Sequence, residues 1–232
     1  MAKSGVEQGA MTLTPTTPPA PFIVIEGING GGKSTLLSAL SRWFTSQGLP
    51  VRCTREPGGT PLGQQLRSIL LGSPTPLCRE TEILLFLADR AEHVRSLIMP
   101  SLAQGTVVLC DRFTYSTVAF QGYGRGFDRK RLDELNALVT GGLRPDLVIL
   151  LDLPVEEALR RASARNQAPT SERDTFEEED LAFHRRVREG FLDMAASLPE
   201  QFLILDAREK PETLLHQALE VVARLLTQYR VK

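Results

Sequence analysis

From Phe22 onward, short apolar runs alternate with longer stretches in which apolar residues recur every three or four positions. The runs FIVIE, LPVRCTRE, GTVVLCDR, DLVILLD and QFLILDA begin at Phe22, Leu49, Gly105, Asp146 and Gln201. These short runs with β-branched residues read as strands, which helical crossovers would cover on both faces. After Lys33, the side chains of Leu36, Leu37, Leu40, Trp43 and Phe44 fall on one face of a helix, which Gly48 and Pro50 would stop. The same spacing predicts helices over 79–103, 128–140, 154–165, 174–198 and 211–228, with Pro154 and Pro211 suited to first turns. Strand and helix in alternation, with no internal repeat, predict an α/β fold whose parallel sheet carries helices on both faces. Residues 1–20, rich in Thr, Pro and small side chains, bury little and are expected to form a flexible extension, leaving 21–232 as one domain.

Composition changes this picture little. The chain has 232 residues, 42% hydrophobic and 24% charged, enough for one large core. A formal net charge of −1 argues against holding nucleic acid or a membrane by bulk electrostatics, so any anion site must be local. Three widely spaced cysteines, Cys53, Cys78 and Cys110, favour reduced, buried thiols and a cytoplasmic setting over disulfides or a metal cluster. No apolar run approaches the length of a bilayer span, and neither export nor anchoring is expected.

In such a sheet, ligands bind beyond the carboxyl ends of the strands. Three polar clusters fall there: Gly27 to Ser34, Arg55 to Thr60, and Asp111 with Arg112. The first, Gly27-Ile28-Asn29-Gly30-Gly31-Gly32-Lys33-Ser34, fits a phosphate loop, and it lies between a strand and a helix as the mechanism requires. Its glycines let backbone N–H groups curl round phosphate oxygens, Lys33 can reach the outer phosphates, and Ser34 can bind Mg²⁺. Gly27 and Asn29 through Thr35 are together expected to bind ATP. Asp111, ending VVLCD, suits a metal carboxylate or a helix cap, and a phosphate loop nearby favours the metal. Arg55 and Arg112 then face a nucleotide site, which suggests a second phosphorylated ligand.

In LLFLADRAEHV, Phe86 and Arg90 are one turn apart, and spacing alone favours a core Phe with a solvated Arg over a base-binding pair. His93, His184 and His216 lack metal-ligand spacing and are expected on surfaces or helix faces. The loop from Gly27 to Lys33 has only Lys33 as a cation, while phosphoryl transfer needs more. RRASARNQAPTSERDTFEEED at 160–180, with Arg160, Arg161, Arg165 and Arg173, could supply it as a lid over about 160–176.

IVIEGINGGGKST, TREPGGTPLG, LLFLADRAEHV, DRFTYSTVAFQGYGRG, DTFEEED and RRVREGF occur in the order seen in bacterial thymidylate kinases. The chain resembles that family from Phe22 onward. The resemblance implies a nucleoside monophosphate kinase fold with five parallel strands, ATP as donor, Mg²⁺, thymidylate as acceptor and a homodimer. It implies that Phe86 stacks on thymine, that Arg90 bonds its edge, and that Arg55 and Arg112 hold the acceptor phosphate. Thr117 and Gln121 would lie near the base and Phe120 would crowd a ribose 2′-hydroxyl. With Gly30 and Gly31 in the loop, the chain resembles the kind whose catalytic arginine is in the lid, and Arg165 is the preferred candidate. Two departures stand out. Asn29 replaces the family's usual carboxylate, and Asp174-Thr175 replaces its usual Asp-Arg, with Arg173 displaced by one. If residue 29 reaches the sugar 3′-hydroxyl, Asn29→Asp should lower the KM for thymidylate several-fold; otherwise Asn29 is there for a left-handed backbone.

Overall fold

The computed structural model describes residues 20–72, 75–166 and 175–230, apart from the side chains at 165, 166, 175 and 230. Five strands form one sheet: β1 (Phe22–Glu26), β2 (Val51–Arg55), β3 (Val107–Asp111), β4 (Leu147–Asp152) and β5 (Phe202–Asp206). Their order is β2-β3-β1-β4-β5 and every pairing is parallel. All five apolar runs are therefore strands. β1 is buried along its whole length, whereas β2 lies at the sheet edge and exposes Arg52 and Cys53.

The helices are α1 (Lys33–Ser46), α2 (Pro61–Gly72), α3 (Arg79–His93), α4 (Met99–Ala103), α5 (Thr114–Thr117), α6 (Arg129–Thr140), α7 (Val155–Asn166), α8 (Leu181–Ser197) and α9 (Pro211–Arg230). α1, α8 and α9 press Leu36, Leu40, Phe44, Phe191, Ala218 and Val222 into the main core. On the other sheet face, Phe22, Val24, Val108 and Cys110 pack with Val94, Ile98 and Phe113.

Several sequence-based expectations need correction. The helix expected over 79–103 is α3, a π-helical stretch Val94–Ile98, and α4. Pro100 has no N–H, and the ladder widens ahead of it, with the Met99 N–H bonding the Val94 carbonyl. The helix expected over 174–198 is a 3-10 turn, Thr175–Glu178, followed by α8. Asp180 breaks it by capping α8, its carboxylate accepting the Phe183 N–H at 2.6 Å. Neither α2 nor the helical stretch through α5 and Val118–Gly124 was expected. Cys53 and Cys78 are exposed, and only Cys110 is a buried thiol. Of the two settings expected for the histidines, His93 and His184 take the helix face, buried on α3 and α8.

Candidate active site

Register sets the site. Ile25 and Arg55 both lie level with Asp111, so the loops leaving β1, β2 and β3 start side by side at one end of the sheet. β1 has β3 on one side and β4 on the other, the switch point at which α/β sheets bind ligands. A cavity of about 630 Å³ opens there.

The phosphate loop is wedged against β4 and α7. At Gly27 (φ +131°) a Cβ would lie 2.4 Å from the Leu151 carbonyl oxygen, and at Gly30 (φ +82°) 2.2 Å from that of Ala158. Only glycine fits either position. Gly31 is buried behind the loop, and Gly32, left-handed at φ 89°, leads into α1. α1 has no side-chain cap and no acidic residue in its first turn, so the positive end of its dipole faces the loop without a carboxylate to offset it. Ser34 and Thr35 are exposed and line the cavity. Lys33 is buried, and its Nζ donates to the carbonyls of Gly27 and Ile28 at 3.1 Å each.

Asp111 lines the same cavity, and its Oδ1 is buried without a hydrogen-bond partner. A hard cation is the natural partner for such an oxygen, so Asp111 and the nearby Ser34 hydroxyl fit Mg²⁺ bound mainly by phosphates and water. Among the described residues, no group of three or more His, Cys, Asp or Glu forms a metal cage by itself.

Among the described residues, Arg112 is the one non-glycine with positive φ, at 71°. Its strained backbone is held by the Arg112 N–H to the Ile25 carbonyl. Its side chain donates to the Gly27 carbonyl at 2.9 Å, to Ser116 Oγ at 3.1 Å and to Asn29 Oδ1, and lies 5.0 Å over the Phe120 ring. Asn29 is not left-handed, so backbone geometry does not explain it. Glu26, fully buried, accepts from the Phe113 and Ser116 N–H groups and Ser116 Oγ, and sits 4.0 Å from Arg112. Burial pushes the Glu26 carboxyl up, and Arg112 and the hydrogen bonds only partly offset this.

Arg55 is exposed at the cavity wall. The next residue, Glu56, is buried and accepts from Arg90 Nε at 2.8 Å, and it also pairs with His93 Nδ1 at 2.9 Å. Asp89 Oδ1 accepts the Gly58 N–H, and burial with the Glu56 charge raises the Asp89 carboxyl to about 6. This network fixes the turn after Arg55.

Arg90 is 1% exposed, which corrects the solvated reading. It donates through Nε to Glu56, through Nη1 to Thr117 and Asn136, and through Nη2 to the Phe113 carbonyl. Of five N–H donors, one on Nη2 remains. Phe86, half-buried, lines the cavity with Thr117, Phe120 and Gln121. Gln121 donates to Glu82 at 2.9 Å. Sequence reasoning missed Phe176, which is buried against Phe120 (5.5 Å) and Phe86 (6.0 Å). Its aromatic neighbours are remote in sequence, and the DTFEEED motif was the available signal.

Of the lid arginines, Arg161 lines the cavity, bonding Glu157 and the Ala207 carbonyl, while Arg160 pairs with Glu157 in solvent. The Arg165 side chain and Arg173 lie outside the described residues, as do 167–174 of the expected lid and the extension before residue 20.

A family model described as Thymidylate kinase matches residues 25–218. A thymidylate kinase of Nitratidesulfovibrio vulgaris is 48% identical over 209 residues, covering 89% of this chain and 97% of the relative. One from Carboxydothermus hydrogenoformans is 48% identical over 191 residues, covering 82% and 91%. The crystal structure of thymidylate kinase from Ehrlichia chaffeensis superposes with a TM-score of 0.71 at 33% identity, covering 88% of this chain and 99% of that one.

Proposed function

The chain belongs to the thymidylate kinase family, and we propose that the γ-phosphoryl group of ATP passes to thymidylate across the cavity between Lys33 and Arg112. The observation that carries this reading is the common level of Ile25, Arg55 and Asp111 at neighbouring strand ends. It gives one crevice an anion-binding loop, a partnerless carboxylate oxygen and two arginines.

On the donor side, the amides of Gly30 to Thr35 and the Lys33 ammonium would hold the β- and γ-phosphates. Mg²⁺, held by Asp111 and Ser34, would neutralise phosphate charge. On the acceptor side, Phe86 would stack on thymine, the remaining Arg90 donor and Gln121 would meet its edge, and Arg55 and Arg112 would grip the phosphate. An acceptor phosphate oxygen attacks the γ-phosphorus as its bond to the bridging oxygen of ADP breaks, with Lys33 and Arg165 stabilising the charge in flight. Arg165 sits one turn beyond Arg161 on α7.

Arg55→Ala and Arg112→Ala are expected to raise the KM for thymidylate about 10- to 100-fold, since a charge-assisted hydrogen bond contributes ~1.5–3 kcal/mol. The KM for ATP should move less than threefold, and the reverse pattern would put these arginines on the donor side.

We also propose a cytoplasmic homodimer. Among the described residues, no helix is long and apolar enough to cross a membrane. Leu62 and Ile69 on α2, Leu84 on α3 and Leu138 on α6 expose apolar surface, at 47%, 47%, 61% and 75%. Sedimentation should give a dimer that Leu84→Glu with Leu138→Glu converts to monomer; a wild-type monomer would refute the assignment.

A further inference from the structure

We propose that Asn29 is a positioning residue whose side-chain amide works from both ends, orienting Arg112 without neutralising it and anchoring the turn that carries Phe176 and Glu177. The amide oxygen accepts from Arg112 Nη2, and the amide nitrogen donates to Glu177 Oε1 at 2.9 Å, across 148 positions of sequence. A guanidinium only donates and a carboxylate only accepts, so these two partners fix which end of the amide faces which.

The Arg112 end governs charge. The other acceptors of Arg112 are the Gly27 carbonyl and the Ser116 hydroxyl, both neutral. Its carboxylate neighbour Glu26, at 4.0 Å, is already engaged by Phe113 and Ser116. Neutral acceptors aim the guanidinium while leaving its charge for an incoming phosphate. A carboxylate at position 29 would pair with it instead.

The Glu177 end governs shape. Glu177 follows Phe176, whose ring packs edge-on against Phe120 and tilted against Phe86 in the acceptor half of the cavity. Holding Glu177 therefore holds part of that wall. A carboxylate at 29 could not donate to Glu177 and would repel it. Asn29 thus does what the family's usual carboxylate cannot, and Asn29→Asp is expected to harm acceptor binding rather than restore it.

The kinetic part of this inference rests on the proposed acceptor site, whereas the anchoring part can be read without nucleotide. Hydrogen exchange of the full chain, free of ligand, should quicken several-fold at the amides of 176–179 in Asn29→Asp, with β1 unchanged as a check on folding. Adding Glu177→Gln supplies a donor at 177 and should return exchange to within twofold of wild type. The KM for thymidylate should rise at least threefold in Asn29→Asp and stay raised in the double variant, because the new carboxylate still faces Arg112. Unchanged exchange in Asn29→Asp, or no recovery in the double variant, would overturn the anchor. A KM that is unchanged or falls would overturn the role towards Arg112. If the wild type did not use thymidylate at all, the exchange arm would still decide the anchor while the acceptor reading failed by itself.

Discussion

Lys33→Ala is expected to lower kcat by on the order of 100-fold or more, because a preorganised cation on developing charge contributes several kcal/mol. The structure gives this expectation a specific basis. Lys33 is buried in the cavity wall, where the carbonyls of Gly27 and Ile28 hold its ammonium. The low-dielectric surroundings keep the charge effective. The loss should fall on kcat more than on the KM for ATP, since loop amides and the α1 N-terminus still bind the phosphates in the ground state. The effect is read from steady-state ADP production at saturating ATP and thymidylate. A variant within a few-fold of wild type would mean that the loop binds a nucleotide without taking part in transfer.

The site was partly legible in the sequence because some of its physics is local. A glycine-rich turn between a buried strand and a helix marks a candidate anion cradle by itself, and singling out Gly27 through Thr35 needs no tertiary information. The strands were legible for a similar reason: β1 and β4 are buried on both faces, so their residues are apolar without interruption up to a terminal acid, Glu26 or Asp152. What could not be read depends on partners far along the chain. Arg90 looks solvated because its acceptors Glu56, Thr117 and Asn136 lie 34, 27 and 46 positions away. His93 is hidden by the same carboxylate. Glu26 ends an apolar run and resembles an ordinary strand terminus until Arg112 and Ser116 are placed beside it.

The two helical stretches that spacing did not predict each contain two glycines, Gly63 and Gly72 in α2 and Gly122 and Gly124 in Val118–Gly124. The second stretch is packed so closely against α8 that a Cβ at Gly124 would lie 2.6 Å from the Phe183 ring. Close approach, rather than flexibility, accounts for that glycine.

Selectivity between thymidylate and uridylate carries the second large expected effect. Phe120 is 8% exposed and held on several sides, by Phe176 at 5.5 Å, Phe183 at 6.2 Å, Phe191 at 6.3 Å and the Arg112 guanidinium at 5.0 Å. A ring pinned in this way cannot swing aside for a ribose 2′-hydroxyl, and forcing extra atoms into a packed site costs about 1–3 kcal/mol. Uridylate also lacks the thymine methyl, whose burial is worth about 0.8 kcal/mol. Together these give about 2–4 kcal/mol, or roughly a 30- to 1000-fold difference in kcat/KM. The decisive measurement is therefore steady-state ADP production with Mg²⁺ and saturating ATP, followed against rising thymidylate and, separately, rising uridylate. Thymidylate should be turned over, with a kcat/KM at least 30-fold lower for uridylate; equal values for the two acceptors would refute thymidylate as the acceptor.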